Sequence, residues 1–149
     1  KEENSYQLRP QICGLFFYPE VLKKEHSDRK KLYFKRLWMK FSESLKKNRD
    51  FQIVYKNGRS LANRYLVMYV MKNGTDRNRV GISVSKKVGN SVVRHRLTRL
   101  IRESYRLSEE HFRSGYDLIV IARTGAKEKG YHDVESALIH LGKLHNIYV

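Results

Sequence analysis

Seven consecutive residues, Tyr116-Asp117-Leu118-Ile119-Val120-Ile121-Ala122, constrain the fold of this chain more than any other stretch. The run is almost wholly apolar, rich in β-branched side chains, and far too short to cross a bilayer as a helix. It reads as a central strand buried on both faces, which requires other elements packed above and below it.

The neighbouring patterns supply those elements. Ser42 is a candidate N-cap for a helix running through Lys56 and stopped by Asn57-Gly58. Tyr65–Met71 is rich in strand formers and closes on Asn73-Gly74, a turn signal. Over Arg79–Ser85, Val80, Ile82 and Val84 alternate with Gly81 and Ser83, as in a strand with one buried face. A long helix is expected over about Ser91–Leu107, with Val93, Leu97, Leu100, Ser104 and Leu107 on its core side. A last helix over Tyr131–Leu144 puts Val134, Leu138, Leu141 and Leu144 on one stripe. The order is helix, one or two strands, strand, helix, strand, helix. That order describes a small α/β sandwich with helices laid on a sheet.

The 149 residues fit one such domain with an appendage. A break is expected near Met39. Residues 1–38 contain both prolines, Pro10 and Pro19, and show no clean periodicity, so they read as an N-terminal extension, with 39–149 as the working domain. The stretch Lys30–Trp38 suits either a short helix or an adhesive tail. The single cysteine, Cys13, allows neither an internal disulfide nor a cysteine metal cluster and suits a reducing, cytoplasmic setting. No secretory signal pattern opens the chain.

Charge narrows the function. The chain carries 31 Lys and Arg against 15 Asp and Glu, a net of +16. Residues 1–38 hold nine basic and five acidic side chains, a net of +4; residues 39–149 hold the other 22 and 10, a net of +12. A field this positive favours a polyanion, nucleic acid first and an anionic membrane surface second. The densest cluster lies between Lys86 and Arg106, with seven Lys and Arg and one carboxylate, Glu103. On a helical wheel Arg99, Arg102 and Arg106 gather away from the apolar face, with His95 among them and Arg96 at the flank. An ordinary solvated basic face would look similar. The scarcity of carboxylates, the Lys86-Lys87 pair and the Gly89-Asn90 turn before the helix favour phosphate instead. A helix start offers free N–H groups, and arginine donates two parallel hydrogen bonds.

At this point the sequence resembles a known family. Val80-Gly81-Ile82-Ser83-Val84-Ser85-Lys86-Lys87-Val88-Gly89-Asn90, followed by Arg94-x-Arg96-x-x-Arg99-x-x-Arg102, looks like the signature of the bacterial ribonuclease P protein subunit. The likeness spans about Phe41 to His145. It includes Leu45-Lys46-Lys47-Asn48-x-Asp50-Phe51 and Gly58-x-Ser60-x-Ala62-Asn63-Arg64 upstream, and Ile121-Ala122-Arg123 downstream. One departure is the central motif, usually Arg-Asn-Arg and here Arg94-His95-Arg96, from which a modest retuning is expected. The other is residues 1–38, which have no counterpart; Met39 sits where such a subunit ordinarily begins, so 1–38 is expected to be an added or mis-assigned upstream stretch.

The resemblance implies an α+β fold: a mixed sheet of about four strands packed with three helices, with a left-handed parallel crossover that departs from the usual hand. It implies a protein that assists an RNA catalyst in cutting the 5′ leader from precursor tRNA. The resemblance further implies that the protein binds no cofactor by itself and that Mg2+ acts in the holoenzyme. The expected partners are ribonuclease P RNA and precursor tRNA, and no membrane. By matching position, Lys86, Lys87, Asn90, Arg94, His95, Arg96, Arg99 and Arg102 would face the RNA subunit. Phe51, Tyr55 and Tyr69 would line a groove for the leader, with Arg64 supplying a cation for its phosphates. Spacing alone favours a core role for Phe51 and Tyr55, four apart on one helix face; the resemblance reverses that preference, since aromatic faces stack unpaired bases.

Rival readings rank lower. Six histidines invite an intrinsic nuclease, yet no metal-site motif accompanies them and Asp117, Asp133 and Glu135 are scattered. A generic structured-RNA-binding or ribosome-associated protein would share the basic helix without a role in tRNA processing. DNA binding lacks a helix-turn-helix pattern before the arginine helix. A membrane-surface helix conflicts with the need of its apolar face for the sheet.

Overall fold

A computed structural model describes residues 41–149. The expected extension 1–38, its Lys30–Trp38 stretch and the proposed start at Met39 lie outside the described residues. Within them, β1 (Ser42–Ser44), α1 (Asn48–Asn57), β2 (Arg59–Ala62), β3 (Leu66–Lys72), β4 (Asn78–Val84), α2 (Ser91–Ser108), β5 (Tyr116–Ala122) and α3 (Tyr131–Leu144) follow in that order. The strands form one mixed sheet in the order β1-β4-β5-β3-β2. β5 is central, parallel to β4 and antiparallel to β3, so the β4–α2–β5 unit is a parallel crossover.

Strand alternation divides the side chains between two faces. Leu66, Met68 and Val70 of β3, Val80 of β4, and Leu118, Val120 and Ala122 of β5 point to one face. There α2 and α3 cover them with Leu97, Ile101, Tyr105, Val134, Leu138 and Leu141. On the opposite face, among the described residues, only α1 packs, over a small cluster of Leu45, Val54 and Ile119. The α+β class and the three helices stand as expected, and the strand count is five.

The extra strand corrects the first helix. Ser42 caps nothing: its hydroxyl lies 3.0 Å from the Tyr105 hydroxyl. Ser42-Glu43-Ser44 pairs in parallel with Asn78-Arg79-Val80. The helix starts only at Asn48, with Lys47 at the N-cap position and no side-chain cap. Its stop at Gly58 is as expected, for a different reason. Gly58 has φ −80°, and a Cβ there would lie 2.5 Å from the Val54 carbonyl oxygen, so close approach and not a left-handed turn selects glycine. Gly74, at φ +70°, does require that freedom in the β3–β4 turn.

The core face of α2 is also rotated from the expected one. Leu97, Ile101, Ser104, Tyr105 and Ser108 are buried, whereas Leu107 is 52% exposed. Tyr105 draws the stripe round, because its ring packs on Phe112 and its hydroxyl reaches both Ser42 and Asn78. Arg106, expected on the free basic side, is instead clasped to Glu103 by two hydrogen bonds of 2.9 and 2.6 Å.

Candidate nucleic-acid interface

Two surfaces collect the candidate residues. The first is the exposed side of α2 and the turn that leads into it. Lys86 and Lys87 are exposed on that turn, which buried Val88 holds down and the Val88 N–H to Ser85 carbonyl bond closes. Asn90 caps the helix, its side-chain oxygen accepting from the Val93 N–H at 3.0 Å. With that oxygen engaged, Asn90 aims the open N-terminal turn, where the partial positive end of the helix favours an anion. His95, Arg99 and Arg102 are exposed, and neither arginine has an ion-pair partner among the described residues.

Two arginines of the motif sit differently. Arg94 shares the sheet-facing stripe with Leu97 and Ile101 and is half-buried; its Nε has no hydrogen-bond partner among the described residues. A buried guanidinium donor without an acceptor costs stability until an acceptor arrives. Arg96 turns sideways, and its guanidinium donates to the backbone carbonyls of Lys129, at 2.9 Å, and Lys127, at 3.5 Å.

The second surface is the sheet face that α1 leaves partly open. Phe51 and Tyr55 project from α1 toward it, their ring centroids 6.2 Å apart, and Tyr55 meets Tyr69 of β3 edge-on at 5.1 Å. All three are half-buried. Gly81 makes the arrangement fit: a Cβ there would lie 2.5 Å from the Phe51 ring. Burial pushes the Tyr55 hydroxyl above the usual phenol range, and a hydrogen bond with Ser83 partly offsets this, so it stays neutral at physiological pH. Lys46, Asn48, Phe51, Tyr55, Ile82 and Ser83 line a cleft of about 400 Å³ at this edge of α1. Val67, Ile121 and Ser83, adjacent across β3, β5 and β4, continue the floor beyond the helix.

A clamp fixes α1 over this face. Asp117, fully buried, accepts from Arg79 Nε at 2.8 Å and from Arg79 Nη2, while Arg79 Nη1 reaches Asp50 of α1 at 3.3 Å. Asn73 donates to the same Asp117 carboxylate at 2.9 Å. The interruption of the apolar run at Asp117 is thus structural, and the alternation that aims Asp117 and Ile119 at one face also aims Ile121 there.

The two surfaces meet at one end of the sheet. β4 and β5 end side by side, with Val84 opposite Ala122, and antiparallel pairing sets Leu66 of β3 across from Ala122. Arg64 stands in the turn before β3, its guanidinium carbon 5.8 Å from the Tyr65 ring centre. Arg123, Lys127 and Lys129 come to this same end, although charge and spacing assign them no role. Their signal is faint, three cations spread through a loop. Among the described residues, no group of three or more His, Cys, Asp or Glu is arranged to hold a metal ion, and no helix is long and apolar enough to cross a membrane.

Comparison with known proteins accords with this geometry. The ribonuclease P family model matches residues 39–145. A ribonuclease P protein component from Lachnoclostridium phytofermentans is 63% identical over 106 residues, which are 71% of this chain and 91% of that protein. The solved RNase P protein of Staphylococcus aureus superposes with a TM-score of 0.67 at 41% identity, covering 72% of this chain and 99% of that one. That of Thermotoga maritima gives 0.63 at 35% identity, covering 66% and 94%. With sequence, motif order and fold in agreement, the chain belongs to the bacterial ribonuclease P protein family.

Proposed function

We propose that the chain serves as the protein subunit of a ribonuclease P holoenzyme, binding ribonuclease P RNA and the 5′ leader of precursor tRNA while the RNA subunit cleaves. The observation that carries this reading beyond the family name is the pair of dissimilar surfaces. The exposed, unpaired cations of α2 and the Lys86-Lys87 turn suit a structured phosphate backbone, where arginine forks add two-point contacts. The half-buried aromatic groove on the opposite face suits an unpaired strand, because stacking on Phe51, Tyr55 and Tyr69 accepts any base. Arg64 adds a cation where the floor of that groove ends. In this reading Mg2+ belongs to the RNA, and the protein holds and orients both RNAs without supplying a catalytic group.

The test is reconstitution with bacterial ribonuclease P RNA and a precursor-tRNA cleavage assay at low magnesium. The chain should restore correct leader removal, and alone it should cleave nothing. Reversing charge at Arg99 and Arg102 should weaken assembly and flatten its salt dependence, by about one unit of logarithmic slope for each phosphate no longer neutralised. Binding without stimulation of leader removal would identify a general structured-RNA-binding protein instead.

A further inference from the structure

The position of Arg96 separates it from the other arginines of its helix. Its guanidinium turns toward a loop, where it bridges the carbonyls of Lys127 and Lys129. Those carbonyls belong to the segment between β5 and α3, which further bonds pin in place. The Arg123 N–H donates to the Tyr65 carbonyl at 2.9 Å, and the Arg123 guanidinium to the Asn63 carbonyl at 2.7 Å. Asn63 in turn donates to the Ala137 carbonyl of α3 at 2.8 Å. The Lys129 ammonium rests 5.4 Å from the Tyr65 ring centre, a cation–π contact that ties the loop to the start of β3. Arg123 and Lys127 are exposed, Lys129 is half-buried, and none of the three has an ion-pair partner among the described residues.

A positively charged loop held by a positively charged side chain is costly unless something negative covers both. Backbone carbonyls satisfy the Arg96 donors but leave its net charge, and Glu128, the one carboxylate of the loop, offsets only part of the charge of Arg123, Lys127 and Lys129. We infer that Arg96 is a positioning residue, and that the loop it holds forms a second wall of the RNA-subunit surface, with Arg123, Lys127 and Lys129 contacting backbone phosphates beside those bound by α2. This rests on the proposed binding of ribonuclease P RNA by α2 and extends it to a segment outside the arginine motif. Lysine at position 96 would keep the charge, yet a single ammonium lacks the planar fork that spans two carbonyls.

The experiment measures affinity for ribonuclease P RNA across a salt series for the full chain. The variants are Arg99→Ala, the double variant Lys127→Ala/Lys129→Ala, Arg96→Lys, and Arg96→Lys in the double-variant background, each checked for an unchanged thermal unfolding midpoint. The double variant should weaken binding roughly tenfold and lower the logarithmic salt slope by about two. Arg96→Lys should weaken binding several-fold alone and add almost nothing once both lysines are gone, the non-additivity expected of residues acting as a unit. If Arg99→Ala weakens binding while the double variant leaves affinity and slope unchanged, the second wall does not exist. If Arg96→Lys is fully additive with the double variant, Arg96 acts on RNA directly and the positioning role is overturned. If Arg99→Ala also has no effect, the helix reading itself fails, an outcome distinct from the other two.

Discussion

The two faces of the sheet are built from the same three strands and are covered to different extents. Behind β3, β4 and β5, α2 and α3 seal one contiguous core in which Leu97, Ile101, Leu118, Leu138 and Leu141 are fully buried. In front, the ten residues of α1 cover part of the surface, and Phe51, Tyr55, Tyr69, Met71 and Ile121 remain half-exposed around a core of three residues. The difference teaches how to tell packing from binding at equal hydrophobicity. A face closed by two helices contributes stability; an aromatic face that, among the described residues, one short helix covers in part is the one proposed to bind the leader.

Three sets of substitutions sharpen that contrast, beginning with the largest expected effect. Ile101→Ala removes a fully buried side chain between α2 and the sheet. It should cost about 2–5 kcal/mol, read as a lower denaturation midpoint, with RNA affinity of the folded fraction unchanged. An Ile101→Ala protein as stable as the parent would mean that the sealed face is not the stabilising one. Phe51→Ala with Tyr55→Ala should show the reverse balance. Binding of leader-bearing precursor should weaken by about 1–3 kcal/mol per stacked base, while affinity for the RNA subunit and for leaderless tRNA stays the same. Equal losses for both substrates would remove the groove from leader binding.

The smallest effect is a pH dependence confined to the sealed face. His145, at the end of α3, lies 3.1 Å from the Met68 carbonyl, and burial lowers its pKa below the ordinary 6.5, with Arg59 nearby adding to the shift and the Met68 bond opposing it. The folded protein therefore prefers the neutral ring, so this contribution is complete above pH 6.5 and is lost as pH falls through the depressed folded value. Urea titrations between neutral and mildly acid pH should show the loss, and His145→Gln should flatten it. A parent and variant with identical pH profiles would place the acid sensitivity elsewhere.

Legibility in the sequence followed the same division. β5 and α3 have the expected bounds, Tyr116–Ala122 and Tyr131–Leu144, because a run buried on both faces and a clean apolar stripe are local signals. β1 had none: Ser42-Glu43-Ser44 is polar, and only pairing with β4 makes it a strand. The rotation of α2 was hidden because a tyrosine does not count with an apolar stripe, although the position of Tyr105 beside Ile101 on the wheel carried the signal. Of the residues proposed to face RNA, the exposed cations follow from charge and spacing. The use of Arg96 does not, because its partners are backbone carbonyls more than thirty residues away, and a carbonyl leaves no mark on sequence. The groove was readable only through resemblance, since Phe51 and Tyr55 at helical spacing look the same whether a core or a ligand covers them.

The cations of α2 that lack an ion-pair partner among the described residues have one more consequence, for the protein on its own. Seven Lys and Arg between Lys86 and Arg106 face a single carboxylate, and Arg106 already claims it. The folded domain therefore works against its own field, holding like charges closer together than an unfolded chain would. Salt then acts with opposite sign on the two states of the molecule. It relieves the self-repulsion of the free protein and strengthens its fold, while it loosens the grip on RNA by competing for phosphates. An RNA partner would relieve the same repulsion more completely than mobile ions, so the polyanion is expected to stabilise the fold that binds it.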